Sequence, residues 1–170
     1  MAVEEELKVL VEELNAELAK AVPFVVKRAV ELFGLEESQV LRAVKKAFSH
    51  ALHITIHELV HELAREALPW LEELGEPERT FVDEILARLA ERSISTELRE
   101  SVGLKTAVVE SFEEQLSELR FYDQLKELRM SMEDLKGLYQ EFLKFTEKTG
   151  GACEFARFLL SLVKQYLGEG

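Results

Sequence analysis

Cysteine is nearly missing from this chain. Cys153 stands alone among 170 residues, which excludes an internal disulfide framework and suits a reducing compartment. No apolar run approaches the ~20 residues needed to span a bilayer. The opening Met1-Ala2-Val3-Glu4-Glu5-Glu6 is acidic where a secretory signal is basic. Basic stripes with interleaved aromatics are missing too. A formal net charge of -12 repels phosphate backbones. Together these absences predict a soluble, cytoplasmic protein with neither a membrane nor a nucleic acid as partner. Asn15 is the only asparagine while glutamate and lysine abound, a composition that fits a heat-adapted source.

Helix breakers are scarce: three prolines and eight glycines. No segment alternates with period two, so no sheet is expected. What is there is helical spacing, and the expectation is an all-α single domain over 1–170: six to seven helices around a long central one, with a candidate C-terminal hairpin over 131–168. Val3, Leu7, Leu10, Val11, Leu14 and Leu18 recur at three and four, predicting a helix over 3–20. Pro23 can open a second helix ending at Gly34. A long helix is predicted from about Glu36 to about Leu68. Its apolar residues cover most of the circumference, as in a helix packed on several sides. Pro69 breaks it, and Gly75 ends the extension. Pro77 begins a helix to about Glu91 whose inward stripe is Phe81, Val82, Ile85, Leu86 and Leu89. Ser93–Thr96 reads as a break with Thr96 as N-cap, followed by a helix from about Glu97 to about Leu128 with Gly103 as a candidate interruption. Ser131 with Asp134 resembles a capping box opening a helix to Lys148. Gly150-Gly151 is the clearest turn, before a final helix carrying Phe155, Phe158, Leu159, Leu162, Val163 and Leu167.

All four histidines fall within twelve residues: His50, His53, His57 and His61. Their steps of three, four and four set them on one face if a single helix carries them. His57 and His61 bracket Glu58. Imidazoles at i and i+4 point the same way and can share a zinc ion. A glutamate at i+1 lies about 100° round, outside that fan of ligands but beside a metal-activated water, whose proton it can take as general base.

His57-Glu58-Leu59-Val60-His61 is the HExxH pattern, and from Ile54 to about Glu91 the chain resembles the zincin metallopeptidases of the glutamate-ligand (gluzincin) type. That resemblance implies a zinc-dependent, peptidase-like hydrolase acting on a peptide or protein, with His57 and His61 as ligands and Glu58 as base. It also implies a third ligand, an acid on the following helix. Phe81–Ala90 resembles that ligand helix, and Glu84, with Ala87 and Ala90 allowing close approach, is the preferred ligand. Asp83 and Glu78 are its rivals. All three acids are equally at home near a helix N-terminus, where the dipole favours negative charge. The chain departs from the pattern in three ways. No strand is evident to align a peptide; position 62 is glutamate; Ala64 and Ala67 stand where the metzincin branch has glycine and a third histidine.

Other constellations are weaker. Glu58-Leu59-Val60-His61 is also the ExxH unit of di-iron bundles, but no second such unit exists because every histidine lies on this one stretch. His50 and His53 with Glu110, Glu113 or Glu114 would make a second metal site, against the simpler reading of a solvated acidic face. Cys153 at a helix start is more simply a small packing residue. The alternative to an enzyme is a helical structural or partner-binding protein whose histidines form a polar core or hold a structural metal. Self-association into a homo-oligomer is compatible with either.

Overall fold

The computed structural model describes residues 3, 5, 6, 16–50, 56–103 and 109–167. Among them are seven α-helices and no strand: α1 Ala16–Phe33, α2 Glu37–His50, α3 Ile56–Ala67, α4 Glu78–Glu97, α5 Phe112–Arg120, α6 Met132–Phe145 and α7 Gly151–Leu167. No described helix is long and apolar enough to cross a membrane.

The central helix is α4. Phe81, Val82, Ile85, Leu86, Leu89, Ala90 and Ile94 are wholly buried, so it is covered nearly all round. It packs on α3 and α7 most extensively, and on α5 and α6 at its other flanks. Burying each of its large side chains contributes roughly 1.5–3 kcal/mol. One continuous apolar core joins α4 to Val25, Val26, Ala29 and Leu32 of α1, Leu59, Val60 and Leu63 of α3, and Phe155, Leu159 and Val163 of α7. The α6–α7 hairpin is therefore part of the same core.

Three sequence expectations need correction. The helix expected from Glu36 to Leu68 is two, α2 and α3, which lie side by side; a straight helix cannot bring its own halves into contact. Residues 51–55, with His53, fall outside the described residues, and His50 belongs to α2, a different helix from His57 and His61. The single four-histidine face is thus replaced by a pair on α3. Second, Pro23 lies inside α1 and does not open a helix. Third, Ser93–Thr96 continues α4. Ser93 and Ser95 are buried there, and the helix ends only through a wider turn at Leu98–Val102, where Gly103 takes φ 77°. Of the helix expected from Glu97 to Leu128, the described residues after the interruption at Gly103 form α5 and a short 3-10 turn, Asp123–Leu125; residues 104–108 lie outside the described residues.

Elsewhere local signals act as read. Pro69 sits in the first turn of a 3-10 helix, Pro69–Glu73, just after α3 ends. Ser131 Oγ accepts from the Asp134 backbone N–H at 3.1 Å, while the Asp134 carboxylate accepts from the Ser131 N–H at 2.9 Å, a complete capping box. Gly34 ends α1 at φ 66°, and the Gly150 N–H donates to the Glu31 carbonyl at 2.9 Å, so the α6–α7 turn is tied to the end of α1. At Gly151 a Cβ would lie 1.9 Å from the Phe145 carbonyl oxygen, so only glycine lets the chain turn this tightly.

Candidate metal centre

Helices α3 and α4 run antiparallel, with His57 facing Glu91 and His61 facing Asp83 and Glu84. The four-residue step between the histidines keeps both rings on one side of α3. Burial of Leu59, Val60 and Leu63 presses that helix against α4.

Each imidazole is held by a carboxylate at its Nδ1. His57 Nδ1–H donates to Glu91 Oε2 at 2.9 Å, and His61 Nδ1–H donates to Asp83 Oδ1 at 3.2 Å. The rings stand edge to face, with centroids 4.5 Å apart and planes at 81°. Their Nε2 atoms turn inward and meet at 3.0 Å. Glu84 Oε2 lies 3.7 Å from His61 Nε2. One ligand atom from each of His57, His61 and Glu84 lies within 4.8 Å of the others. A tetrahedral zinc with bonds of ~2.0–2.1 Å sets its ligand atoms about 3.3 Å apart, between the 3.0 and 3.7 Å seen.

The donor chemistry agrees with that spacing. With a proton on each Nδ1, both Nε2 atoms carry lone pairs that face one another at 3.0 Å. That contact is repulsive until a cation, either a metal ion or a proton, stands between them. Burial opposes charge on His61, but the hydrogen bond and charge of Asp83, with Glu84, outweigh it and raise the pKa. A site that attracts a proton in this way attracts other cations.

Glu84 is fixed from behind. Its Oε1 accepts from Arg88 Nη1 at 2.7 Å, and the Arg88 guanidinium in turn lies over the Tyr122 ring, 5.6 Å from its centroid. Burial and the nearby Glu84 carboxylate both raise the Tyr122 pKa, so the phenol stays protonated. Arg88 is only 6% exposed; burial opposes its charge, yet the contacts to Glu84 and Tyr122 raise its pKa on balance. Its Nε lies 3.3 Å from Glu118 Oε1, off the line of a hydrogen bond. The centre opens towards solvent on the His57 side, whose side chain is 28% exposed against 10% for Glu84.

The structure therefore brings His57, His61 and Glu84 together and gives Asp83 a different position, at the outer nitrogen of His61. Glu78, in the first turn of α4, is not in the group. Glu58 is exposed on α3 beside His57 and outside the triad of potential ligand atoms. Glu62 is buried and pairs with Arg65, which neutralises the charge at that position of the motif. Sequence reading missed Glu91, Arg88 and Tyr122. The only signal for the first two was their spacing: positions 84, 88 and 91 repeat at four and three on one face of α4. Glu113 and Glu114 lie in the first turn of α5, with Glu110 just before it. Cys153 is half-buried, with its Sγ 3.5 Å from the Phe33 carbonyl, and burial pushes its thiol pKa up. No known protein family, curated protein or solved structure matches this chain.

Proposed function

We propose that this protein is a small helical zinc-dependent hydrolase, peptidase-like in its chemistry, with His57, His61 and Glu84 as metal ligands and Glu58 as general base. The observation that carries this reading is the convergence of both Nε2 atoms with one Glu84 oxygen while both Nδ1 atoms are tied to carboxylates. Zinc held by three protein groups keeps a fourth position for water and lowers that water's pKa to about 7.

The chain's own residues supply the rest. Asp83 and Glu91 hold the rings in the tautomer that frees Nε2. Arg88 engages Oε1 of Glu84 and leaves Oε2 turned towards His61. Glu58, next to His57, takes the proton from water at its carboxylate and returns it to the leaving group. The exposure of His57 leaves a path for substrate on that side.

Metal analysis of protein purified without added zinc tests the site: wild type is expected to carry zinc and His57→Ala to lose it. Equal metal content in the two sinks the reading. Glu58→Gln is expected to keep the metal and lose hydrolysis of peptide substrates; undiminished activity removes Glu58 as base.

One observation favours a second reading, a helical protein with no activity. Glu84 is already paired with Arg88, and each histidine with its own carboxylate, so the cluster can be satisfied by protons alone. That version expects metal-free wild-type protein.

A further inference from the structure

We propose that the cavity between α4, α5 and α6 holds the C-terminal carboxylate of the peptide substrate on the Arg92 guanidinium. The proposal rests on the metal-site reading above and gives it a substrate class, peptides with a free C-terminus.

The cavity measures about 490 Å³. Val109, Phe112 and Met132 give it apolar walls, with Arg92 of α4 and Lys136 of α6 as its cations. The Arg92 guanidinium carbon stands 3.7 Å from the Phe112 ring centroid and 5.5 Å from that of Tyr139, so two aromatic faces fix its place. Its Nε donates to Gln115 Oε1 at 3.2 Å, and Nη2 donates to the Glu110 carbonyl. Both acceptors are neutral. Of the five N–H donors of an arginine, both on Nη1 and one on Nη2 have no partner among the described residues, and no carboxylate there forms an ion pair with it. Burial lowers its pKa against the raising influence of Tyr139 and Glu110. A held, planar fork with spare donors and an incompletely balanced charge matches a carboxylate.

The cavity lies at the level of the open side of the metal site. Arg92 directly follows Glu91, whose carboxylate holds His57, and the site opens on the His57 side. Successive positions diverge by about 100° on a helix about 10–12 Å across, which sets the two side-chain tips on the order of 8–9 Å apart. Two or three residues of extended peptide, at ~3.3–3.6 Å each, cover that span. A peptide anchored at Arg92 therefore lays a bond near its C-terminus beside His57. Water adds to the carbonyl carbon of that bond, the C–N bond breaks, and Glu58 delivers the proton to the leaving nitrogen. Glu110, Glu113 and Glu114 also line the cavity. They repel further negative charge, so the terminal residue is neutral or basic and a phosphate dianion is disfavoured.

Binding is measured first, on the metal-free full chain, where no cleavage intervenes. N-acetyl-trialanine is titrated in as the free acid and as the C-terminal amide, with the Arg92 Nε–H signal followed by NMR. The acid is expected to move that signal and to bind about tenfold or more tighter than the amide. Arg92→Gln is expected to abolish the preference. Equal binding of acid and amide, or no movement of the Arg92 signal, overturns the proposal. The acid–amide comparison in wild type needs no variant, so it decides even if Arg92→Gln does not fold. Zinc-loaded protein that cuts the acid and spares the amide supports the substrate class; equal cutting of both overturns it. Zinc content judges the metal site separately, so the two readings fail in different measurements.

Discussion

The α6–α7 hairpin and the α3–α4 pair are both two helices packed side by side, yet they are held by opposite means. In the hairpin, Phe142, Phe145, Phe155 and Phe158 meet at ring separations of 5.2–5.8 Å, and shape and dispersion do the holding. Between α3 and α4, beside Leu59, Val60 and Leu63, the facing groups are two histidines, three carboxylates and a buried arginine. Rings stack in many arrangements, whereas hydrogen bonds demand one. The difference separates two kinds of packing: the aromatic end contributes stability through apolar contact, and the charged end gathers ionisable groups at some cost in desolvation.

That contrast can be broken by substitution. Phe155→Ala should remove about 3–5 kcal/mol of stability, measured by denaturant unfolding of metal-free protein, with the zinc affinity of the folded fraction unchanged. A comparable fall in affinity would show that the two ends are not separate. Glu91→Gln should do the reverse, lowering zinc affinity roughly 10–100-fold while the unfolding midpoint barely moves. Ser131→Ala removes only the α6 cap and should cost about 1 kcal/mol, again read from denaturant unfolding.

The smallest effect concerns pH. The Glu110 carboxyl is raised to about 7 in the folded protein from an ordinary 4.5, so folding favours its protonated form. Its contribution is complete below pH 4.5 and declines as pH rises through about 7. Metal-free wild type should therefore gain stability over Glu110→Gln on acidification from pH 7.5 to 5. Solvent screening keeps the gain below about 1 kcal/mol. A difference independent of pH would show that the Glu110 carboxyl is not raised.

The same contrast explains what the sequence could reveal. The hairpin is written locally: the Ser131–Asp134 box and the Gly150-Gly151 turn lie within a few residues of what they control, and all were readable. His57 and His61 were readable for the same reason, being four apart on one helix. Glu91 was not, because its partner is 34 residues away and nothing nearby distinguishes it from other helix-surface glutamates. Ser93–Thr96 misled because serine and threonine favour caps in isolation, while burial under neighbouring helices keeps α4 going. Residues 36–68 misled because no proline or glycine between Gly34 and Pro69 separates the α2 sequence from the α3 sequence.

The antiparallel meeting of α3 and α4 has a consequence that needs neither metal nor activity. His57 and His61 are four residues apart, while their outer partners Asp83 and Glu91 are eight apart, so the rings splay towards opposite ends of α4 and converge between. Only one axial alignment of the helices satisfies both pairings. A slide of one turn, about 5.4 Å, would take both imidazoles off their carboxylates together and scatter the inward nitrogens. The cluster is thus a gauge of helix register: its two hydrogen bonds and one nitrogen–nitrogen contact form together when the core has closed at the correct level, whatever ion or proton then lies between.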